Sequence, residues 1–325
     1  MKTIRWGIIG CGNVTEVKSG PGFQKAQGSQ LVAVMRRDAA LAKDYAHRHG
    51  VPKWYADAQA LIHDPEVDAV YIATPPDSHA VYTIAAARAG KPVYVEKPMA
   101  LNSAECREMV AACRAAGTPL FVAYYRRALP RFLKAKELLD SGVVGEVRFV
   151  EILLTQPIET HPPGQLPWRL RPEIAGGGFF VDLASHTLDF LDFVLGPVNR
   201  VRGFARNQAG AYPAEDIVSG AFEFQNGVHA IGTWCFSSFQ TADRITFVGS
   251  NGQVTLSTFD NEPVQLETLT DTQVFDLPNP IHIQQPLIQQ VVNELLGIES
   301  CVSTGASALR TTWVMDQLLK ENTLS

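Results

Sequence analysis

Three side chains in this 325-residue chain have the type and setting to move a proton. Lys97 lies in Tyr94-Val95-Glu96-Lys97-Pro98, an apolar run that ends in an acid, a base and a proline. A lysine at the carboxyl end of a strand, half desolvated, can donate a hydrogen bond to an oxygen whose charge changes during reaction, and Glu96 can orient it. Asp182 and His186 follow Gly176-Gly177-Gly178. On a helix that begins just after the glycines they stand four apart on one face, with Asp189 a turn further along. An imidazole titrates near neutral pH and can exchange a proton with a substrate hydroxyl, while Asp182 holds its tautomer or binds the substrate. The pair is also compatible with a buried contact that stabilises its helix, or with a metal site lacking its remaining ligands. Three consecutive glycines favour close approach by a ligand.

A second group of residues suits a dinucleotide. The apolar strand 4–9 runs straight into Gly10-Cys11-Gly12-Asn13-Val14-Thr15. Gly10 can take the tight turn, Gly12 lets the backbone approach a pyrophosphate, and N–H groups at the following helix N-terminus favour negative charge. Gly10, Cys11, Gly12, Asn13 and Val14 are therefore the expected phosphate contacts. Thr15 departs from the Gly or Ala usual at the third small position. The next apolar run, 31–35, ends at Arg36-Arg37, where a cofactor ribose would sit. An acid there accepts from the 2′-OH of NAD, whereas arginine suits the 2′-phosphate of NADP; Arg36 and Arg37 favour NADP(H) and leave NAD(H) open. They also fit a plain role in solvating a loop end, with Asp38 neutralising one of them. A further strand ends in Ala73-Thr74-Pro75-Pro76-Asp77-Ser78-His79. Two prolines stop it at the carboxyl edge of the sheet and leave Thr74, Pro75, Pro76 and His79 toward the cofactor crevice, with Asp77 or Ser78 as N-cap of the next helix. Glu96, at the following strand end, could touch the nicotinamide ribose.

The elements needed to hold these residues are legible in the pattern. Through about residue 125, short apolar runs (4–9, 31–35, 69–73, 92–95, 120–124, and a short 53–55) alternate with helical stretches (39–49, 78–89, 103–116). That alternation predicts a doubly wound parallel sheet. Beyond residue 145 come strands 147–155, 198–206, 217–224, 228–236, 244–248 and 253–257, closed by turns such as Gln225-Asn226-Gly227, with helices 128–140, 180–194, 287–296 and 306–320. This is an α+β domain with a large open, mostly antiparallel sheet. The division predicted is 1–125 and 126–325, with the C-terminal helix packing back near the first domain. Lys and Arg total 28 against 33 Asp and Glu, a net −5 without a basic run, which argues against nucleic acid and for a small-molecule substrate. The chain start lacks a secretory pattern and no stretch is long enough to span a membrane, so a cytoplasmic protein is expected. Five scattered cysteines, Cys11, Cys106, Cys113, Cys235 and Cys301, predict neither disulfides nor a metal site. The open sheet needs a cover, and a homodimer or homotetramer formed through it is expected.

Taken together, GIIGCGNV, IATPPDSHA from Ile72, the VEKP segment holding Lys97 and GGGFFVDLASH ending in His186 resemble the Gfo/Idh/MocA family, the glucose-fructose oxidoreductase and inositol dehydrogenase group. The resemblance covers nearly the whole chain. It implies an N-terminal Rossmann domain, a C-terminal domain with an open sheet, NAD(P) as cofactor, and sugars, polyols or related alcohols as substrates. Lys97 looks like the family's lysine of the E-K-P motif, and Asp182 and His186 like its Asp-x-x-x-His pair, with Ser185 where the family often has Gly. Trp168-Arg169 matches a Trp-Arg pair that would reach the cofactor or substrate, and Tyr124-Tyr125-Arg126-Arg127 resembles an Arg-containing hinge at the cleft. On this reading hydride passes between C4 of NADP(H) and a secondary alcohol or ketone carbon in the interdomain cleft. His186 moves the proton, Lys97 polarises the oxygen and Asp182 positions the partner. The pocket walls would include residues 124–127, 160–168 and Trp234-Cys235-Phe236. The alternatives are an NAD-dependent enzyme, a reductase acting on a bilin or aromatic dihydrodiol, and a non-catalytic cofactor sensor, which would have no need of a proton relay.

Overall fold

An apolar run that can be buried on both faces marks a parallel strand, and β1 (Ile4–Ile9) meets this condition with Trp6, Ile8 and Ile9 fully enclosed. The computed structural model describes residues 3–162 and 164–320. Met1 and Lys2 at the chain start, Pro163 of the expected wall 160–168, and residues 321–325 lie outside the described residues. Two compact units result, one made of Met1–Ala128 with Pro280–Leu309, the other of Leu129–Asn279 with Arg310–Ser325.

In the first unit β1 is followed by α1 (Asn13–Val17), α2 (Gly20–Lys25), β2 (Ser29–Met35), α3 (Ala39–Arg48), β3 (Lys53–Tyr55), α4 (Ala58–Ile62), β4 (Ala69–Ile72), α5 (His79–Arg88), β5 (Val93–Val95), α6 (Ser103–Ala116) and β6 (Leu120–Val122). The six strands are parallel in the order β3-β2-β1-β4-β5-β6, so the winding reverses between β1 and β4. Ligands of such sheets bind at that reversal, outside the carboxyl ends of the strands. One side of the sheet is packed by an aromatic cluster in which Phe23 lies 4.8 Å from Trp6 and 5.0 Å from Tyr71, itself stacked at 5.1 Å on Tyr94.

The second unit begins with α7 (Pro130–Asp140) and β7 (Val147–Thr155), followed by α8 (Pro172–Ala175), α9 (Ser185–Leu195), β8 (Val198–Arg206), β9 (Ile217–Phe224), β10 (His229–Cys235), β11 (Ala242–Gly249), β12 (Gly252–Leu256), β13 (Val264–Thr268) and β14 (Thr272–Phe275). Eight strands pair in the order β14-β13-β12-β11-β7-β10-β9-β8, all antiparallel except β7 with β10. The inner face buries Val150, Val218, Trp234, Phe247, Val254 and Leu266. Phe190 of α9 meets Phe132 at 4.9 Å and Phe247 at 6.1 Å. On the outer face Phe204 is 72% and Ile231 55% exposed. The chain ends through α10 (Gln285–Leu295) and α11 (Gly305–Leu319).

Several features differ from the sequence reading. The segment Pro280–Leu309 belongs to the first unit: α10 buries Leu287, Ile288, Val291 and Val292, and Gln289 exchanges hydrogen bonds of 2.7 and 3.1 Å with the backbone of Gln27. The helix after the glycines opens as a π-helical turn, Phe180–Ala184, before α9 takes over. The short α4 and the β13–β14 hairpin were not expected. No helix among the described residues is long and apolar enough to cross a membrane.

Candidate active site

β1 leaves the sheet through Gly10, whose φ is 91°. A Cβ there would stand 2.6 Å from Thr74 Cγ2 and 2.9 Å from the Thr74 nitrogen, so the ends of β1 and β4 meet closely only because residue 10 is glycine. Gly12 is extended, and a Cβ on it would find nothing nearer than the Gly10 carbonyl at 3.9 Å. The space over Gly12 is therefore open to a ligand. Thr15 locks the loop: the Gly12 N–H donates to Thr15 Oγ1 at 3.0 Å, and the Thr15 hydroxyl donates to the Gly12 carbonyl at 2.8 Å. The departure from a small residue at position 15 thus supplies a helix cap. Helix geometry leaves the amides of Asn13 and Val14 without intrahelical acceptors, as an anion requires. Cys11 is buried, and burial pushes its thiol up to about 11, so it lines the loop as a neutral group.

At the end of β2 the Arg36 guanidinium donates to the Cys11 carbonyl at 3.4 Å, beside the glycine loop, while Arg37 is exposed. Asp38 caps α3 by accepting from the Leu41 N–H at 3.1 Å. Open space over Gly12, amides at the helix start and a guanidinium beside the loop together fit a dinucleotide with charge at its ribose end.

At the end of β4, Pro76–Ser78 forms a 3-10 turn. Ser78 occupies the N-cap of α5, but its hydroxyl donates to Thr74 Oγ1 at 2.8 Å and to the Pro75 carbonyl at 3.0 Å, so the expected side-chain cap is replaced by a tie across the turn. His79 lies fully inside. Its Nε2 is 2.7 Å from the Thr74 carbonyl and its Nδ1 is 3.1 Å from the Pro98 carbonyl, and burial lowers its pKa. It joins the loops after β4 and β5 rather than facing a cofactor. Pro75 and Pro76 shape this turn.

Glu96 follows β5 and is 6% exposed. Its carboxylate accepts from the Tyr71 hydroxyl at 2.5 Å, Gln284 Nε2 at 2.7 Å and the Lys97 N–H at 3.2 Å. Burial and then the Glu96 charge push the Tyr71 hydroxyl well above its ordinary value, which keeps it a donor. Glu96 therefore orients the backbone of Lys97. Gln284, 188 residues away in sequence, had no local signal. Arg126 lies over the Tyr125 ring at 5.2 Å, and Arg127 donates to the Val302 carbonyl at 3.1 Å; both are buried, as are Tyr124 and Tyr125.

In the second unit Asp182 sits in the π-helical turn and His186 is the second residue of α9, so the pair spans the junction between two helical pitches. Single π turns recur at functional sites because they re-aim side chains within a helix. Arg169 Nε donates to Asp182 Oδ2 at 3.1 Å while its guanidinium stacks 4.4 Å from the Trp168 ring. The Trp-Arg pair and the acid thus form one unit, which their separation of thirteen positions did not reveal. His186 is 3% exposed, and its ring meets Phe259 with centroids 5.9 Å apart.

Gly177 and Gly178 accommodate the protein itself. A Cβ on Gly177 would come within 2.5 Å of Val181 and 3.1 Å of Glu215 Oε1, and one on Gly178 within 2.6 Å of Ala214. Glu215 accepts from the Gly178 N–H at 2.9 Å, and burial raises its pKa. Trp234 and Phe236 also depart from expectation. Both are buried core residues, packed on Phe180 at 5.3 Å and Phe179 at 5.5 Å, and only Cys235 between them is partly exposed.

Residues 4–124 match the oxidoreductase family with an NAD-binding Rossmann fold, and residues 132–255 match the GFO/IDH/MocA C-terminal domain. The chain is 42% identical over 317 residues to Oxidoreductase P35 of Formosa agariphila, spanning 96% of this chain and 97% of that one. It is 30% identical to the trans-1,2-dihydrobenzene-1,2-diol dehydrogenase of Bos taurus, over 85% of this chain and 80% of that one. Among solved structures, the aldose-aldose oxidoreductase from Caulobacter crescentus complexed with glycerol aligns with a TM-score of 0.87 and 26% identity, covering 98% of this chain and 96% of that one. With both of its units matched and a dinucleotide cradle at the reversal of its parallel sheet, the chain belongs to the Gfo/Idh/MocA family and is an NAD(P)-dependent oxidoreductase.

Proposed function

We propose that the enzyme uses NADP(H) to interconvert a secondary alcohol and a ketone on a sugar, polyol or related small molecule, with Lys97, Asp182 and His186 as its catalytic residues. The observation that carries the cofactor preference is Arg36, which follows β2 and reaches the carbonyl of the glycine loop, where the ribose 2′-phosphate of NADP would need a cation. The substrate class is supported by the relatives named above: aldoses and dihydrodiols share a hydroxyl-bearing ring carbon.

Bound NADP(H) supplies the hydride acceptor or donor at nicotinamide C4. Gly12, with Asn13 and Val14, would hold the pyrophosphate, and Arg36, with Arg37, would hold the 2′-phosphate. Lys97 donates a hydrogen bond to the substrate oxygen and stabilises the charge that builds on it. His186 removes the hydroxyl proton in oxidation and returns it in reduction. Asp182, held by Arg169, fixes a neighbouring substrate hydroxyl or the imidazole.

The test is a screen of sugars, polyols and keto-sugars with NADPH and NADP, read by nicotinamide absorbance, followed by Lys97→Ala and His186→Asn. Each variant should lose about 10²- to 10⁴-fold in kcat while still binding NADPH. Full turnover in either folded variant removes that residue from the chemistry.

A further inference from the structure

We infer that Asp243 is a positioning residue for this reaction, acting on His186 through the turn at residues 258–260; the inference rests on the reading that His186 carries the proton. Asp243 is the second residue of β11 and lies in register with Leu154 of β7. Its carboxylate gathers three successive backbone amides. Oδ1 accepts from Thr258 at 2.9 Å, and Oδ2 accepts from Phe259 at 2.5 Å and Asp260 at 3.0 Å. Charge-assisted bonds to three consecutive N–H groups fix the conformation of the residues that carry them.

The same turn is anchored from a second side. The Ser257 hydroxyl donates to the Asp260 carbonyl at 2.7 Å, and Arg131 of α7 donates to Ser257 Oγ at 3.1 Å and to the Glu262 carbonyl at 2.8 Å. So secured, the turn presents two successive residues to two successive residues of α9. The Phe259 ring stands against the His186 ring at an interplanar angle of 75°, and the Thr258 hydroxyl is 3.2 Å from that of Thr187. An imidazole that must meet a substrate hydroxyl within hydrogen-bond reach depends on what fixes its ring. Here one wall of that ring is held by a carboxylate on a different strand.

Asp243→Asn keeps the shape of the side chain. Whichever way its amide is turned, at least one of the three backbone N–H groups faces another donor, so the turn must shift. Phe259→Leu removes the ring at a half-buried position without disturbing the anchors, and Phe259→Tyr keeps it. The direct readout is the imidazole Hε1 resonance of His186 in histidine-labelled protein, assigned by its loss in His186→Asn. Asp243→Asn and Phe259→Leu should both move this resonance, because each displaces or deletes the adjacent aromatic ring, and Phe259→Tyr should not. With NADPH and a substrate from the screen above, both should lower kcat about 10- to 100-fold and leave the KM for NADPH at the wild-type value. Phe259→Tyr should keep kcat at the wild-type value.

A His186 resonance unmoved by Asp243→Asn, or an unchanged kcat in Phe259→Leu, overturns the inference. If Asp243→Asn fails to fold, Phe259→Leu decides alone. Full turnover in His186→Asn would instead overturn the functional reading, and the resonance shift would still decide whether Asp243 sets the ring.

Discussion

Gly10 and Gly12 are two positions apart, yet a methyl group added at each should have opposite effects. At Gly10 an alanine must adopt a φ of 91° and place its Cβ 2.6 Å from Thr74 Cγ2 and 2.9 Å from the Thr74 nitrogen. The conformational part costs about 1–2 kcal/mol and the crowding about 1–3 kcal/mol. Gly10→Ala should therefore destabilise the first unit by about 2–5 kcal/mol, lowering its melting temperature by about 4–20 °C. At Gly12 the backbone is extended and the new methyl would meet nothing closer than 3.9 Å. Gly12→Ala should leave the melting temperature unchanged or slightly raised, since alanine narrows the unfolded ensemble. The methyl would instead occupy the space proposed for the pyrophosphate. Loss of one hydrogen bond to a charged phosphate is worth about 1.5–3 kcal/mol, or about 10- to 150-fold in NADPH affinity. The two readouts are differential scanning calorimetry and an NADPH fluorescence titration. If Gly12→Ala binds NADPH as the wild type does, the pyrophosphate does not lie over residue 12. If Gly10→Ala melts with the wild type, the close contact with Thr74 carries no stability.

Reversing charge at Arg36 should separate the two cofactors: Arg36→Glu is expected to weaken NADPH by about 10- to 100-fold while NADH binding holds or improves, and equal losses for both would refute the 2′-phosphate assignment. Burial holds the Glu215 carboxyl above the ordinary glutamate value of 4.5. The folded state then keeps that proton to a higher pH than the unfolded chain does, so this group costs stability increasingly as pH rises from 4.5 through the folded value. Glu215→Gln keeps an acceptor for the Gly178 N–H and cannot ionise; its melting temperature should exceed the wild type's at about pH 8 and converge with it below 4.5. A difference that does not vary with pH would count against a buried, titrating Glu215.

The parallel half of the fold was legible because its strands are buried on both faces and write continuous apolar runs, each ending where a chemically distinctive residue begins: Gly10, Arg36, Thr74, Glu96. The sequence also showed the elements that carry Lys97, Asp182 and His186. It did not show the contacts that orient them, because these join residues with no shared local period: Gln284 to Glu96, Arg169 to Asp182, Asp243 to the turn beside His186. His79 looked like a ligand contact because the turn containing it faces the crevice; that its ring points inward onto backbone carbonyls depends on the loop after β5. For Trp234 and Phe236 the signal is in the sequence. They alternate about Cys235 on one strand edge, and a period of two places both on the covered side. β14 is not legible because three of its four residues are exposed, which leaves its sequence no alternation to read.

Pro280–Leu309 completes the nucleotide-binding unit from beyond the strands of the other unit. Residues up to 128 are made about 150 residues ahead of Gln284 and α10, so Glu96 and the face of α2 that α10 packs on wait uncovered in the meantime. A fragment cut at the apparent domain boundary would be permanently in that condition. Isolating the nucleotide-binding half of this enzyme therefore requires grafting the late segment back on, and its maturation waits for a segment translated after most of the other unit.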